Sequence, residues 1–170
     1  MLEKSFAYSK KSLSLDFLIS AIAAVSFLAL LSITAKLDVL SIAVGSTVVA
    51  IALVVLGASP LFTTHDIKGD RLVLRQGWYF KAEIPLRNIE RIGIVERGPL
   101  RTGVFFRLFQ STLFVTSKRY DLITLELKEK QRFGWALGKK ADKIIFDVLE
   151  PDRFLRTVEE LRRSLSPVQT

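Results

Sequence analysis

The hydrophobic positions of this chain fall into two regimes. Residues 17–35 form a run of 19 without a charge, and residues 39–58 a run of 20. Only Lys36, Leu37 and Asp38 separate them. As helices the runs reach roughly 28–30 Å each, about the thickness of a bilayer's hydrocarbon core. The short turn makes them antiparallel neighbours. From Leu61 onward the pattern alternates instead. Leu72 and Leu74 repeat at period two, as do Phe80, Ala82 and Ile84, and Ile92 and Ile94. Ile123, Leu125 and Leu127 follow the same rule, as do Ile144, Phe146 and Val148. This predicts antiparallel strands with one face on a core. Turn signals at 68–70, 76–77, Pro85 and 138–140 separate them.

The period changes again at the end. Pro151 and Asp152 suit a helix start. Phe154, Leu155, Val158, Leu161 and Leu165 then recur at helical spacing, opposite Arg156, Glu159, Glu160 and Arg163. Such a helix would cap one open end of a small barrel or sandwich. The predicted fold class is a membrane α-helical hairpin plus a mainly-β soluble domain. Residues 1–16 form a basic cytoplasmic N-terminal segment, 17–58 the transmembrane hairpin, and 59–170 the cytoplasmic β-domain.

Charge orients this arrangement. The net charge is +8, and residues 59–170 hold 21 Lys and Arg against 14 Asp and Glu. Lys4, Lys10 and Lys11 precede the first run, and Lys68, Arg71 and Arg75 follow the second. The positive-inside rule places both termini in the cytoplasm, in a multi-pass protein of the cell membrane. The first run is longer than a signal-peptide core and a second follows at once, so it is expected to be retained. Neither run contains an ionisable residue. A transporter or channel acting alone is therefore not expected. Ser20 with Ala24, and Ser41 with Gly45, have the spacing that lets helices approach closely. They serve packing within the hairpin or contact with a second membrane protein. With no cysteine there are no disulfides, which suits a reducing cytoplasm.

Three stretches carry a family likeness. They are 70–77 (DRLVLRQG), 84–92 (IPLRNIERI) and 145–155 (IFDVLEPDRFL). Their order resembles the bacterial pleckstrin-homology-like domains found behind one or two membrane spans. The likeness covers residues 61–165. It implies two orthogonal antiparallel sheets, as a barrel or sandwich, capped by a C-terminal helix. It implies no reaction and no cofactor.

Residues 97–119 depart from that pattern. They carry five basic residues, four phenylalanines and no acid. Arg97, Arg101, Phe105, Arg107, Phe109, Lys118 and Arg119 are the candidate lipid- or partner-binding residues. If 104–114 is helical, Phe105, Leu108, Phe109 and Thr112 or Leu113 share a face that enters the acyl–headgroup boundary while Arg101, Arg107, Lys118 and Arg119 hold phosphates. The other possibilities are two core strands or a protein contact. Lys128, Lys130, Arg132, Lys139, Lys140 and Lys143 cluster around a late hairpin, as on a solvated edge. Trp78 and Tyr79 lie at a turn and fit either the core or a bilayer interface.

His65 is the single histidine, so a His-rich metal site is excluded, and no metalloprotease, P-loop, dinucleotide or nucleophile-elbow motif is present. An enzyme is not expected, and neither is nucleic-acid binding. The expected role is a membrane-anchored scaffold presenting a basic β-domain to a protein partner or a second copy of the chain. The alternatives are a sensor of anionic lipid headgroups or an accessory subunit of a membrane complex.

Overall fold

The computed structural model describes residues 3–35, 38–107, 110–134 and 138–165. The chain separates into two compact units. One is helical, Lys10–Thr63 together with the loop Gly77–Tyr79, and the other is the β-rich remainder.

In the helical unit, α1 spans Lys11–Thr34 and α2 spans Val39–Ala52. α2 continues through a π-helical stretch, Leu53–Ala58, and a 3-10 turn, Ser59–Phe62. Two helices of 24 residues result, Lys11–Thr34 and Val39–Phe62, both long and apolar enough to cross a membrane. No part of their most apolar stretches is buried by protein. α1 begins before the charge-free run and takes Lys11 and Asp16 into its first turns.

α2 starts at Asp38, whose carboxylate accepts the Ser41 N–H at 2.8 Å and the Ser41 hydroxyl at 3.1 Å. Ser41 is thus a capping partner rather than a packing residue. Gly45 does face α1, since a Cβ there would lie 3.8 Å from Leu28. At Gly57 a Cβ would come within 2.6 Å of the Phe17 ring, so only glycine admits that ring against the helix backbone.

The β-rich unit contains two sheets and a helix. The first sheet joins β1 (Glu3–Phe6), β2 (His65–Lys68), β3 (Arg71–Gln76) and β4 (Phe80–Pro85) in chain order, all antiparallel. β1 arises from the segment expected to be only a basic N-terminal extension. It pairs with β2 across the whole hairpin, Phe6 opposite His65. The second sheet has the order β5-β8-β9-β7-β6. Its strands are β5 (Ile89–Arg97), β6 (Gly103–Arg107), β7 (Thr112–Thr116), β8 (Tyr120–Arg132) and β9 (Lys140–Asp147). This corrects the expectation of purely antiparallel sheets. β9 inserts between β8 and β7, antiparallel to the first and parallel to the second.

Of the alternatives left open for 104–114, the structure has the strand pair and not the helix. Gly103–Arg107 and Thr112–Thr116 are antiparallel strands with Phe105 opposite Phe114, and Ser111 turns the chain at a φ of 45°. Bulky aromatic and β-branched side chains favour this pleated surface. Of the face that the helical alternative would have formed, Leu108 and Phe109 lie outside the described residues.

The core follows the alternation except in β5, where Ile92 is half-buried and Ile94 is exposed. Leu72, Leu74, Phe80, Ala82, Ile84, Ile123, Leu125, Leu127, Ile144, Phe146 and Val148 are all buried. α3 (Pro151–Leu165) closes it, burying Phe154 and Val158. The Phe154 ring meets Phe6 of the first sheet edge-on at 5.0 Å and Phe146 of the second at 5.4 Å. Helix and both sheets thus share one aromatic contact. His65 extends it, 5.5 Å from Phe146 and 4.9 Å from Tyr8.

Candidate functional site

The aromatic, basic segment builds a site on the face of the second sheet that points away from Phe146, Leu113 and Leu125. Strand residues two apart share a face, so register decides which side chains meet. One row across the sheet reads Arg107, Thr112, Lys143 and Glu126. The neighbouring row reads Phe105, Phe114 and Ile145. Phe105 and Phe114 stack at 4.7 Å with their rings 10° from parallel. Phe114, Leu122 and Ile145 form a small buried cluster with Phe105 packed against it.

Cations flank this stack. The Arg101 guanidinium lies over Phe105 and that of Arg107 over Phe114, each 5.6 Å from the ring centroid. The chain after β5 folds back along the sheet, with the Gly98 N–H donating to the Arg119 carbonyl at 2.7 Å. An open crevice of about 630 Å³ results. Phe114 and Ile145 line its floor, Gly98, Pro99 and Leu100 one wall, and Arg97, Arg107 and Lys143 bring three cations to it.

Only part of that charge is neutralised. Lys143 reaches Glu126 at 3.4 Å, and Arg107 donates to the neutral Gln110 amide at 3.4 Å. Arg97 and Arg107 make no ion pair among the described residues. An apolar floor under cations suits a ligand with an anionic head and an apolar body. No group of three or more metal-ligating side chains occurs among the described residues.

The candidate residues are distributed as follows. Arg97 and Arg107 line the crevice, and Arg101 and Phe105 belong to the stack beside it. Lys118 and Arg119 lie in the connection from β7 to β8 and are not among the lining residues, though the Arg119 carbonyl holds Gly98 of the wall. Phe109 lies outside the described residues. Sequence reasoning missed Phe114 and Ile145 as the floor and placed Lys143 with a different cluster. Phe105 and Phe114 share a face through the register of the β6–β7 hairpin. Their partnership with Ile145 and Lys143 depends on the parallel β7–β9 pairing, which no local pattern signals. Of the late basic cluster, Lys130 pairs with Asp142 at 3.1 Å across β8 and β9.

A second group of polar residues is structural. The Asp147 carboxylate accepts the Ser117 N–H at 2.6 Å, the Ser117 hydroxyl at 2.7 Å and the Ser9 N–H at 3.1 Å. Burial holds this carboxyl above its ordinary pKa, while the Ser117 and Ser9 hydrogen bonds pull it back. His65 is fully buried, and its Nδ1 accepts the Arg75 N–H at 3.2 Å. Burial pushes its pKa down to about 3, so it is neutral.

In comparisons with known proteins, no family model, no curated protein and no solved structure matches this chain.

Proposed function

We propose that this protein is a membrane-anchored binding module, a hairpin spanning the cell membrane twice with a pleckstrin-homology-like β-unit on the cytoplasmic side. In this reading the crevice above Phe114 and Ile145 takes an anionic group at the membrane surface. The observation that carries it is the pair of guanidinium groups, Arg97 and Arg107, without carboxylate partners among the described residues, beside an apolar floor.

The anchor is supported by the helices themselves. A helix apolar on every side, without protein around it, is in its lowest-energy setting within lipid. Lys10 and Lys11 open α1 without any side-chain cap. Cations oppose a helix dipole at that end, but they suit phosphate headgroups. β1, before the hairpin in the chain, pairs with β2, after it, which supports an even number of crossings. The pleckstrin-homology-like assignment is supported by two sheets closed by a C-terminal helix, with the parallel β7–β9 pair as a departure.

Phospholipid headgroups are the anions nearest a tethered domain, and tethering raises their effective concentration. A protein partner is the second reading. Leu100, 82% exposed at the crevice wall, favours it, because exposed apolar residues beside cations are typical of protein contacts. The full chain in neutral detergent, titrated with short-chain phosphatidylglycerol and phosphatidylcholine, tests the first reading by native mass spectrometry. The wild type retains phosphatidylglycerol preferentially and the Arg97→Glu/Arg107→Glu chain does not. Equal retention by both chains overturns the crevice assignment. Release of the chain from membranes by alkaline carbonate overturns the anchor.

A further inference from the structure

The turn between β3 and β4 is built against the end of the second apolar helix. Gly77 takes a φ of +66°, and a Cβ on it would lie 2.5 Å from the Ser59 Oγ. Glycine is therefore required there both for conformation and for space. The Gly77 N–H donates to the Thr63 Oγ1 at 2.9 Å, and the Trp78 N–H donates to the Ser59 Oγ at 3.0 Å. Ser59 is buried, and its hydroxyl donates in turn to the Val55 carbonyl within the π-helical stretch. One hydroxyl thus links a helix carbonyl to the turn's backbone. These bonds fix where the next side chain stands, and that side chain is exposed. Trp78 is 66% accessible, and Phe62, the last residue of the helical run, is 76% accessible. Tyr79 is half-buried beside them in the chain.

A folded domain rarely holds a tryptophan out in water through a glycine and two dedicated hydrogen bonds. The indole has an apolar body and one N–H donor, and it partitions to the depth where acyl chains meet headgroups. The end of a membrane span lies at that depth. We propose that Trp78, with Phe62 and Tyr79, is an interfacial anchor that inserts at the headgroup level and sets how far the second span is drawn into the bilayer. The anchor is not contiguous in sequence, since a β-turn supplies Trp78 and Tyr79 and the helix end supplies Phe62. The proposal rests on the membrane-spanning reading, and the test separates the two.

The chain has two tryptophans, Trp78 and Trp135. A full-length Trp135→Phe chain reconstituted in phosphatidylcholine vesicles reports on Trp78 alone. The expected result is blue-shifted emission, quenching by a headgroup-proximal lipid label above that by a mid-chain label, and little quenching by aqueous iodide. The Trp78→Phe chain provides the same reading by difference from the wild type. Free iodide quenching with no lipid quenching, in a chain that resists carbonate, overturns the anchor and leaves the spans standing. A chain that fails to enter vesicles overturns both.

Discussion

The Asp147 carboxylate takes two hydrogen bonds from Ser117, one from its backbone N–H at 2.6 Å and one from its hydroxyl at 2.7 Å. A third comes from the Ser9 N–H at 3.1 Å. One buried group therefore ties together the end of β9, the end of β7 and the chain after β1. Asp147→Ala leaves one buried and one part-buried N–H donor without an acceptor and is expected to cost about 2–4 kcal/mol in unfolding free energy. Ser117→Ala removes only the hydroxyl bond and is expected to cost about 1 kcal/mol. Denaturant titration in detergent checks both, and equal losses would contradict the assigned hierarchy.

His65 makes stability depend on acid. Its ordinary pKa is 6.5, and burial lowers it to about 3 in the folded chain. Between those values the unfolded chain binds the extra proton. Stability therefore falls as pH drops through that window, by up to about 1.4 kcal/mol per unit. Asp147 has the opposite sign, because its raised pKa lets the folded chain keep a proton that the unfolded chain has released. Just above its ordinary value of 3.8, acidification through Asp147 favours folding and partly offsets His65. His65→Gln keeps an acceptor for the Arg75 N–H and removes the titration. Its stability is expected to vary less with pH below 6.5, and parallel curves for the two chains would refute this.

The Phe17 ring fills the space where a Gly57 side chain would be. Gly57→Ala is expected to destabilise the helical hairpin by about 1–3 kcal/mol through overpacking. Phe17→Ala in the same chain opens that space and restores much of the loss. Thermal unfolding of the single and double variants in detergent measures the coupling.

At the crevice, binding and stability separate. Arg101 and Arg107 are exposed, and each lies over a phenylalanine ring. Replacing either with glutamine costs about 0.5–1 kcal/mol of ring contact. Phe114 is buried, and Phe114→Ala is expected to cost about 3–5 kcal/mol. Arg107→Gln should therefore lower retention of anionic lipid with the fold nearly intact, whereas Arg101→Gln, outside the crevice lining, should leave retention unchanged. Unfolding curves and native mass spectrometry on the same samples check the pair.

Much of this architecture was legible because the buried positions repeat. The period-two residues of β3, β4, β8 and β9 all face the core, and Phe154 and Val158 hold the helix on it. The two apolar runs marked the long helices. β1 was not legible, since four residues before an apolar run carry no periodic signal and their partner lies beyond both helices. Alternation with Phe146 and Val148 gives no sign by itself that Asp147 is buried. Both faces of β9 are covered at that end, so a carboxylate is buried there and satisfied by Ser117 and Ser9. At the candidate site the charged and aromatic residues were identified, but not their arrangement. A helical wheel and a pleated strand pair place Phe105 against different neighbours, and the long-range register selected the second.

The edge strand Glu3–Phe6 has a consequence for how the protein is made. In chain order these residues precede both long helices, and His65–Lys68 follows them. β1 therefore stays without its hydrogen-bonding partner while both helices are synthesised. Its pairing with β2 is complete only once both have been made. A chain in which this pairing fails would expose β2 as the sheet edge in place of β1, the kind of surface that quality-control machinery and other exposed strands engage.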